Sequence, residues 1–310
     1  MRKFILTCSA CTLAAFIFFS CTEKEEKNSE KKQYTVCLNL KKDVTVLPFP
    51  STKSIPDHQP SEPRNSEENP SFFSRIEYVV YHKESGAIVK HQMFTEENSE
   101  DFGEYIYDEL EAGVYSIVLL AHSTTGATLL GNVASFPEVS DSFYATEEVT
   151  VSRESEGTPV EIILKRIVAR IEFVGIKTTP DNVAKFILEI EERYNTTNLK
   201  TGETSNAEFL RKEYPLSAGM SPNDSPIYQF YTFVPEPLQG DTSFLSAIKL
   251  ITLDINEDTL HTIDLTAIPV MRNRITRYSG SLYAPNTNSN TLQLEIEDYG
   301  HWRDTINVPF

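Results

Sequence analysis

Across residues 160–175 the apolar positions alternate, and half-way along the alternation slips by one residue. Val160, Ile162 and Leu164 fall on even positions, whereas Ile167, Ala169, Ile171 and Phe173 fall on odd ones. A strand with one buried face cannot keep it through such a slip, because a shift of one residue turns every side chain over. The pattern predicts one extended segment that closes one β-sandwich and opens the next, changing over near Lys165 and Arg166. A helical alternative exists, since Ile163, Ile167 and Ile171 stand four apart. The density of β-branched residues and the alternating outer positions favour strand.

The same period-two reading covers most of the chain. Tyr34, Val36, Leu38 and Leu40 mark a first strand. Residues 75–82 and 87–94 flank Glu84, Ser85 and Gly86 as a hairpin. Leu110-Glu-Ala-Gly113-Val-Tyr115 leads into a strand whose inward face is Tyr115, Ile117 and Leu119, with Gly113 expected to supply the positive φ of a tight turn. Residues 96–111 read as a carboxylate-rich solvated loop, and residues 124–128 with Gly131 as turns. Residues 143–151 and 159–164 complete the first group of strands.

In the second group, residues 181–193 fit a helix through Val183, Phe186, Ile187 and Ile190, or a strand through Phe186, Leu188 and Ile190. The turn signal from Asn198 to Gly202 favours a hairpin. Further strands are predicted at 228–234, 274–283, 291–297 and 305–310. Residues 248–255 and 260–265 form a hairpin around Asn256, Glu257 and Asp258, and 284–290 are a turn. Short strands at regular intervals with almost no helix predict an all-β chain of two sandwiches.

The amino end changes the picture from fold to location. Arg2 and Lys3 precede an apolar run from Phe4 to Phe19, then Ser20 and Cys21. The run is a secretory signal, too short and wrongly flanked to span a membrane. Ser20-Cys21 resembles a bacterial lipobox, in which the cysteine carries lipid and becomes the mature first residue, although Phe18 and Phe19 depart from that motif. Cys11, after Ala10, is a second candidate with a shorter apolar run. Residues 22–32 contain no apolar side chain and read as a flexible tether. Glu23, Glu25 and Glu26 resemble an acidic surface-export tag. Six prolines between Pro48 and Pro70 mark a long exposed loop, within which Lys53 and Arg64 are candidate protease-processing positions.

Charge narrows the partners. The chain carries −17, and loss of residues 1–20 removes two basic residues, leaving −19. Such a balance argues against nucleic acid as a partner and against adhesion to anionic lipid through side chains. With Cys8 and Cys11 removed and Cys21 lipidated, Cys37 is left alone, without an internal disulfide partner, and reads as a small core hydrophobe.

Candidate chemistry is sparse. The six histidines, His58, His82, His91, His122, His261 and His301, have no metal-ligand spacing, and no nucleophile elbow, phosphate loop or dinucleotide fingerprint occurs. Asp254-Ile-Asn256-Glu-Asp258 opens like a calcium loop but has Thr259 and Leu265 where Gly and Glu are required. Trp302, the single tryptophan, reads as core rather than as a sugar platform. No catalytic, metal or cofactor residue is assigned, and the chain is not read as an enzyme.

Four pieces in order carry a resemblance: the lipobox-like Cys21, Leu110-x-x-Gly113-x-Tyr115, Leu164-Lys-Arg-Ile-Val-Ala-Arg-Ile-Glu-Phe173, and Ile268-Pro-Val-Met-Arg-Asn273-Arg-Ile-Thr276-Arg-Tyr-Ser-Gly280-Ser-Leu-Tyr283. Together they resemble the fimbrial anchor and fimbrillin-like lipoproteins of the Bacteroidales (the FimB and minor-fimbrium anchor type). The resemblance implies two tandem transthyretin-like sandwiches, and the residue patterns above divide the chain as signal 1–20, tether 21–33 and sandwiches 34–165 and 166–310. It further implies lipid-anchored display on the outer membrane and assembly with other fimbrial subunits by β-strand addition, without a cofactor. Polymerising relatives lose an amino-terminal segment, first strand included, by cleavage after a basic residue. Asp258-Thr259-Leu260 and Asp304-Thr305-Ile306 resemble O-glycosylation acceptors of that phylum. The alternative function is a glycan-binding surface lipoprotein of a nutrient-uptake system.

Overall fold

The computed structural model describes residues 32–43, 72–217, 219–221, 227–235 and 242–283, together with the backbone of 291–298 and 303–309. These residues form strands and no helix. In chain order the first half gives β1 (Gln33–Lys42), β2 (Arg75–His82), β3 (Ile88–Phe94), β4 (Tyr105–Glu111), β5 (Gly113–His122), β6 (Thr128–Leu130), β7 (Val133–Ser135), β8 (Ser142–Val151) and β9 (Pro159–Arg166). The second half gives β10 (Val168–Gly175), β11 (Lys185–Asn198), β12 (Thr204–Pro215), β13 (Tyr228–Phe233), β14 (Ser243–Leu253), β15 (Thr259–Val270), β16 (Arg274–Gly280), β17 (Thr291–Asp298) and β18 (Arg303–Pro309).

The first-half strands run in the order β3-β2-β5-β8-β9-β1-β4. The β8–β9 link consists only of Phe143 opposite Arg166 and Tyr144 opposite Lys165, and there the path folds into two layers. Between them lies an apolar core to which β1, β4 and β9 contribute Val36, Leu38, Leu40, Ile106, Ile162 and Leu164, and β2, β5 and β8 contribute Ile76, Tyr78, Ile117, Leu119, Phe143 and Val149. In the second half, sheet β13-β10-β16-β17-β18 and sheet β15-β14-β11-β7-β6 supply the strands of a second core, built on Ile171, Phe173, Phe186, Leu188, Leu250 and Ile268. β12 pairs with β11 beside the main path.

A third apolar cluster joins the halves. Val79 and Tyr81 of β2 and Val118 and Leu120 of β5 turn outward from the first core, and they meet Phe136, Val168, Leu199, Phe233 and Ile275. The short hairpin β6–β7 follows β5 in the chain yet pairs with β11, Thr196 lying opposite Ser135. The described residues from Gln33 onward accordingly form a single compact unit.

The slip at 160–175 takes physical form here. Ile162 and Leu164 enter the first core, Ala169, Ile171 and Phe173 enter the second, and Ile167 between them enters the joining cluster. The strand alternative holds for 181–193: β11 and β12 form a long hairpin whose turn has Gly202 at φ 72° and the Gly202 N–H donating to the Asn198 carbonyl at 2.7 Å.

Residues 124–127 and Gly131 are turns as expected, and Gly131 (φ 60°) joins the short strands β6 and β7. Two expectations need correction. Part of the carboxylate-rich 96–111 stretch is strand β4, because Ile106, Asp108 and Leu110 alternate inward. Gly113 does not take a positive φ. Its missing side chain makes room for the Tyr115 ring, which a Cβ at that position would approach to 3.3 Å.

Candidate assembly surfaces

β1 is the first strand of the chain body, yet it sits inside a sheet. It pairs parallel to β9 from Cys37 opposite Pro159 to Lys42 opposite Leu164, and antiparallel to β4 from Gln33 opposite Glu111 to Asn39 opposite Tyr105. Val36, Leu38 and Leu40 point into the first core at 5%, 0% and 6% exposure, so β1 fills a slot that would otherwise divide β9 from β4. Cys37 is buried as expected but belongs to the opposite face, among neither core's apolar residues. It lies opposite Tyr107, which stacks on Tyr105 with ring centroids 6.1 Å apart and is itself 57% exposed.

The sheet edges carry devices that discourage indiscriminate pairing. On β3 and β4 the charges point inward: Lys90 pairs with Asp108, whose other oxygen accepts the Tyr78 hydroxyl at 2.8 Å. Burial, with the Asp108 carboxylate beside it, pushes the Tyr78 hydroxyl far above its ordinary pKa, so it stays a donor. β15 has Pro269 within it and Ala267 at φ 53°, which removes a donor and twists the edge. β12 has Asn206 at φ 57° and a register shift against β11 between Ile190 and Arg193; Arg211 pairs with Glu189 and Glu213, and Lys212 with Glu138. On β13 the Thr232 hydroxyl accepts the Tyr194 backbone N–H at 3.0 Å.

The two most specific sequence motifs meet at one polar seam. Arg166, its side chain fully buried, donates from Nε and Nη2 to Asp141 at 2.7 and 2.9 Å and from Nη1 to Asn273 Oδ1 at 2.6 Å. Asn273, at φ 59°, donates its backbone N–H to the Val168 carbonyl at 2.9 Å. β10 runs parallel to β16 with Glu172 opposite Arg277, and the Arg277 Nε reaches the buried Glu172 carboxylate at 2.8 Å while Arg170 pairs with the same group. Burial pushes the Asp141 carboxyl up, against the downward pull of Arg166. The Leu110-x-x-Gly113-x-Tyr115 motif forms a tyrosine corner: the Tyr115 hydroxyl donates to the Glu111 carbonyl at 3.0 Å, pinning the β4–β5 connection.

Of the histidines, His122 is fully buried and its Nδ1 accepts the Thr124 N–H at 3.2 Å. Glu77 lies between His91 at 2.6 Å and His122 at 4.0 Å. Burial opposes ionisation of Glu77, but the two imidazoles together hold its carboxyl below the usual range. His82 stacks edge-on against Tyr115, and burial lowers His261. Among the described residues no three ligating side chains are grouped to hold a metal. The calcium-like segment is a hairpin turn, in which Asp254 Oδ1 accepts the N–H groups of Asn256 and Asp258 at 2.8 and 2.9 Å. Thr259 stands exposed at the start of β15. Cys21, Lys53, His58, Arg64, His301 and Trp302 lie outside the described residues, and Thr305 is placed only through the backbone of β18.

No curated protein matches the sequence. Among solved structures, a candidate adhesin from Bacteroides thetaiotaomicron is similar at 10% identity and a TM-score of 0.51, over 89% of this chain and 99% of that one. The fimbrial anchor protein Mfa2 from Porphyromonas gingivalis gives 12% identity and 0.47, over 88% and 99%. A fimbrial assembly protein from Parabacteroides distasonis gives 11% and 0.46, over 89% and 99%. The first of these supports the sandwich fold. A family model describing fimbrillin-A associated anchor proteins Mfa1 and Mfa2 matches residues 63–307, most of the chain, and the chain therefore belongs to that fimbrial anchor family.

Proposed function

We propose that this chain is the base subunit of a fimbrium, held on the outer membrane by lipid on Cys21 and joined to the next subunit by β-strand addition. Its mature body is read as a tether of residues 21–33 carrying the sandwiches 34–165 and 166–310. The observation that carries the reading is the place of β1. An uncut chain fills its own slot between β9 and β4, so it cannot accept a neighbour's strand there. A subunit whose slot is self-filled ends a polymer, and one tethered at its amino end ends it at the membrane. A single acyl chain holds weakly, but each buried methylene adds about 0.8 kcal/mol, so a multiply acylated cysteine is effectively permanent.

Strand addition suits the protected edges described above. Where edges resist casual pairing, a partner needs a segment matched to the alternation of one sheet; backbone hydrogen bonds then supply affinity and pockets supply register. In this role the loop holding Lys53 and Arg64 stays uncut. The proposal is tested by deleting the gene and following fimbriae. The expected outcome is fimbriae shed into the medium, with retention restored by the intact chain but not by Cys21→Ala. Normal retention in the deletion strain, together with hits on a glycan array, would replace this reading with glycan capture.

A further inference from the structure

We infer that the parallel β1–β9 ladder is a mechanical shear clamp, the element that keeps the tether from drawing the first sandwich apart under tension. The inference rests on the reading of Cys21 as the tether point, and it deepens that reading by naming what bears the pull.

The argument is geometric. Tension from the tether enters at the amino end of β1, at Gln33. Tension transmitted to the second half of the chain leaves at the carboxyl end of β9, because only Ile167 separates Arg166 from Val168 at the start of β10. β1 and β9 are parallel neighbours over six pairs, Cys37 with Pro159 to Lys42 with Leu164, a ladder about 20 Å long. Pulling one parallel strand back by its amino end and the other forward by its carboxyl end loads the bonds along the strand axis, all at once. An antiparallel terminal pairing would bring the two pulled ends together and open bonds one after another. The flanking β4 ladder, seven pairs from Gln33 to Asn39, is sheared in the same motion. Leu38, fully buried on the inner face, must leave the core before β1 can slide.

Single-molecule force spectroscopy on the soluble chain from Thr22 onward tests this directly, with Cys37→Ala making the handles unique. Handles at Gln33→Cys and Lys165→Cys load the ladder in shear. Handles at Gln33→Cys and Glu109→Cys pull the β1–β4 pair open from one end, since Glu109 lies opposite Thr35. Lys165 and Glu109 are exposed, and matching thermal melts establish that each variant keeps the parent fold. The first arrangement is expected to rupture at a peak force severalfold above the second. Equal forces, or a weaker shear geometry, would overturn the clamp. Absence of acyl on Cys21 would remove the tether instead, leaving the force ratio unchanged, so the two failures are distinct.

Discussion

β1 and β10 occupy the same place in their respective sandwiches and are fixed by different means. Each opens its half of the chain and has one parallel and one antiparallel neighbour: β9 and β4 for β1, β16 and β13 for β10. All eight residues of β10 are buried, whereas on the outer face of β1 Thr35 and Asn39 are half-exposed and Lys41 is exposed. The outer face of β10 carries Arg170 and Glu172, locked with Arg277 inside the seam. β1 has a buried inner face and two backbone ladders, and no polar lock among the described residues of its outer face. One topology thus serves two ends: a strand frozen into the body, and a strand held sideways by its neighbours at the start of the first sandwich.

The sharpest way to break this comparison is to unlock the seam. Arg166→Ala leaves the partly buried Asp141 without its paired cation and is expected to cost about 3 kcal/mol in urea denaturation. A loss no larger than that of a surface change would show that the seam does not hold the halves. On the β1 side, Leu38→Ala removes a fully buried side chain and should cost about 2–5 kcal/mol, measured in the same way. Tyr115→Phe deletes the hydrogen bond of the tyrosine corner and should cost about 0.5–1.5 kcal/mol. Lys41→Ala, on the unlocked outer face, should stay within about 0.5 kcal/mol of the parent; a larger loss would mean that face is locked after all.

Glu77 on β2, held between His91 and His122, gives the first sandwich a pH dependence. The folded-state pKa of Glu77 lies below its ordinary value of 4.5. Its contribution is therefore present above that value and fades as pH falls through the lower folded pKa. Glu77→Gln should flatten this acid limb in melts taken across pH, and an unchanged limb would mean the imidazoles do not hold the carboxylate.

Much of the fold was legible because period-two alternation is local. The slip at 160–175 placed the passage between cores through Leu164, Ile167 and Ile171 without any knowledge of partners. β4 escaped because the inward position of Asp108 makes sense only with Lys90 and Tyr78, which lie on other strands. β6 and β7 are too short to show a period, and their pairing with β11 is distant in sequence. Cys37 reads as a small core hydrophobe although its parity opposes Val36 and Leu38. The seam was hidden for a related reason: Arg170 and Glu172 read as outward polar positions, and only the second half of the chain supplies what buries them. The tether at Cys21 was read from the signal sequence alone.

The central claim is that the working molecule keeps both its lipid and its first strand. Mass spectrometry of the protein recovered from the cell surface tests this most directly. The account predicts a mature amino terminus at acylated Cys21 with residues 33–42 retained. A terminus just after Lys53 or Arg64, with β1 gone, would contradict it and make the chain a stalk or tip subunit.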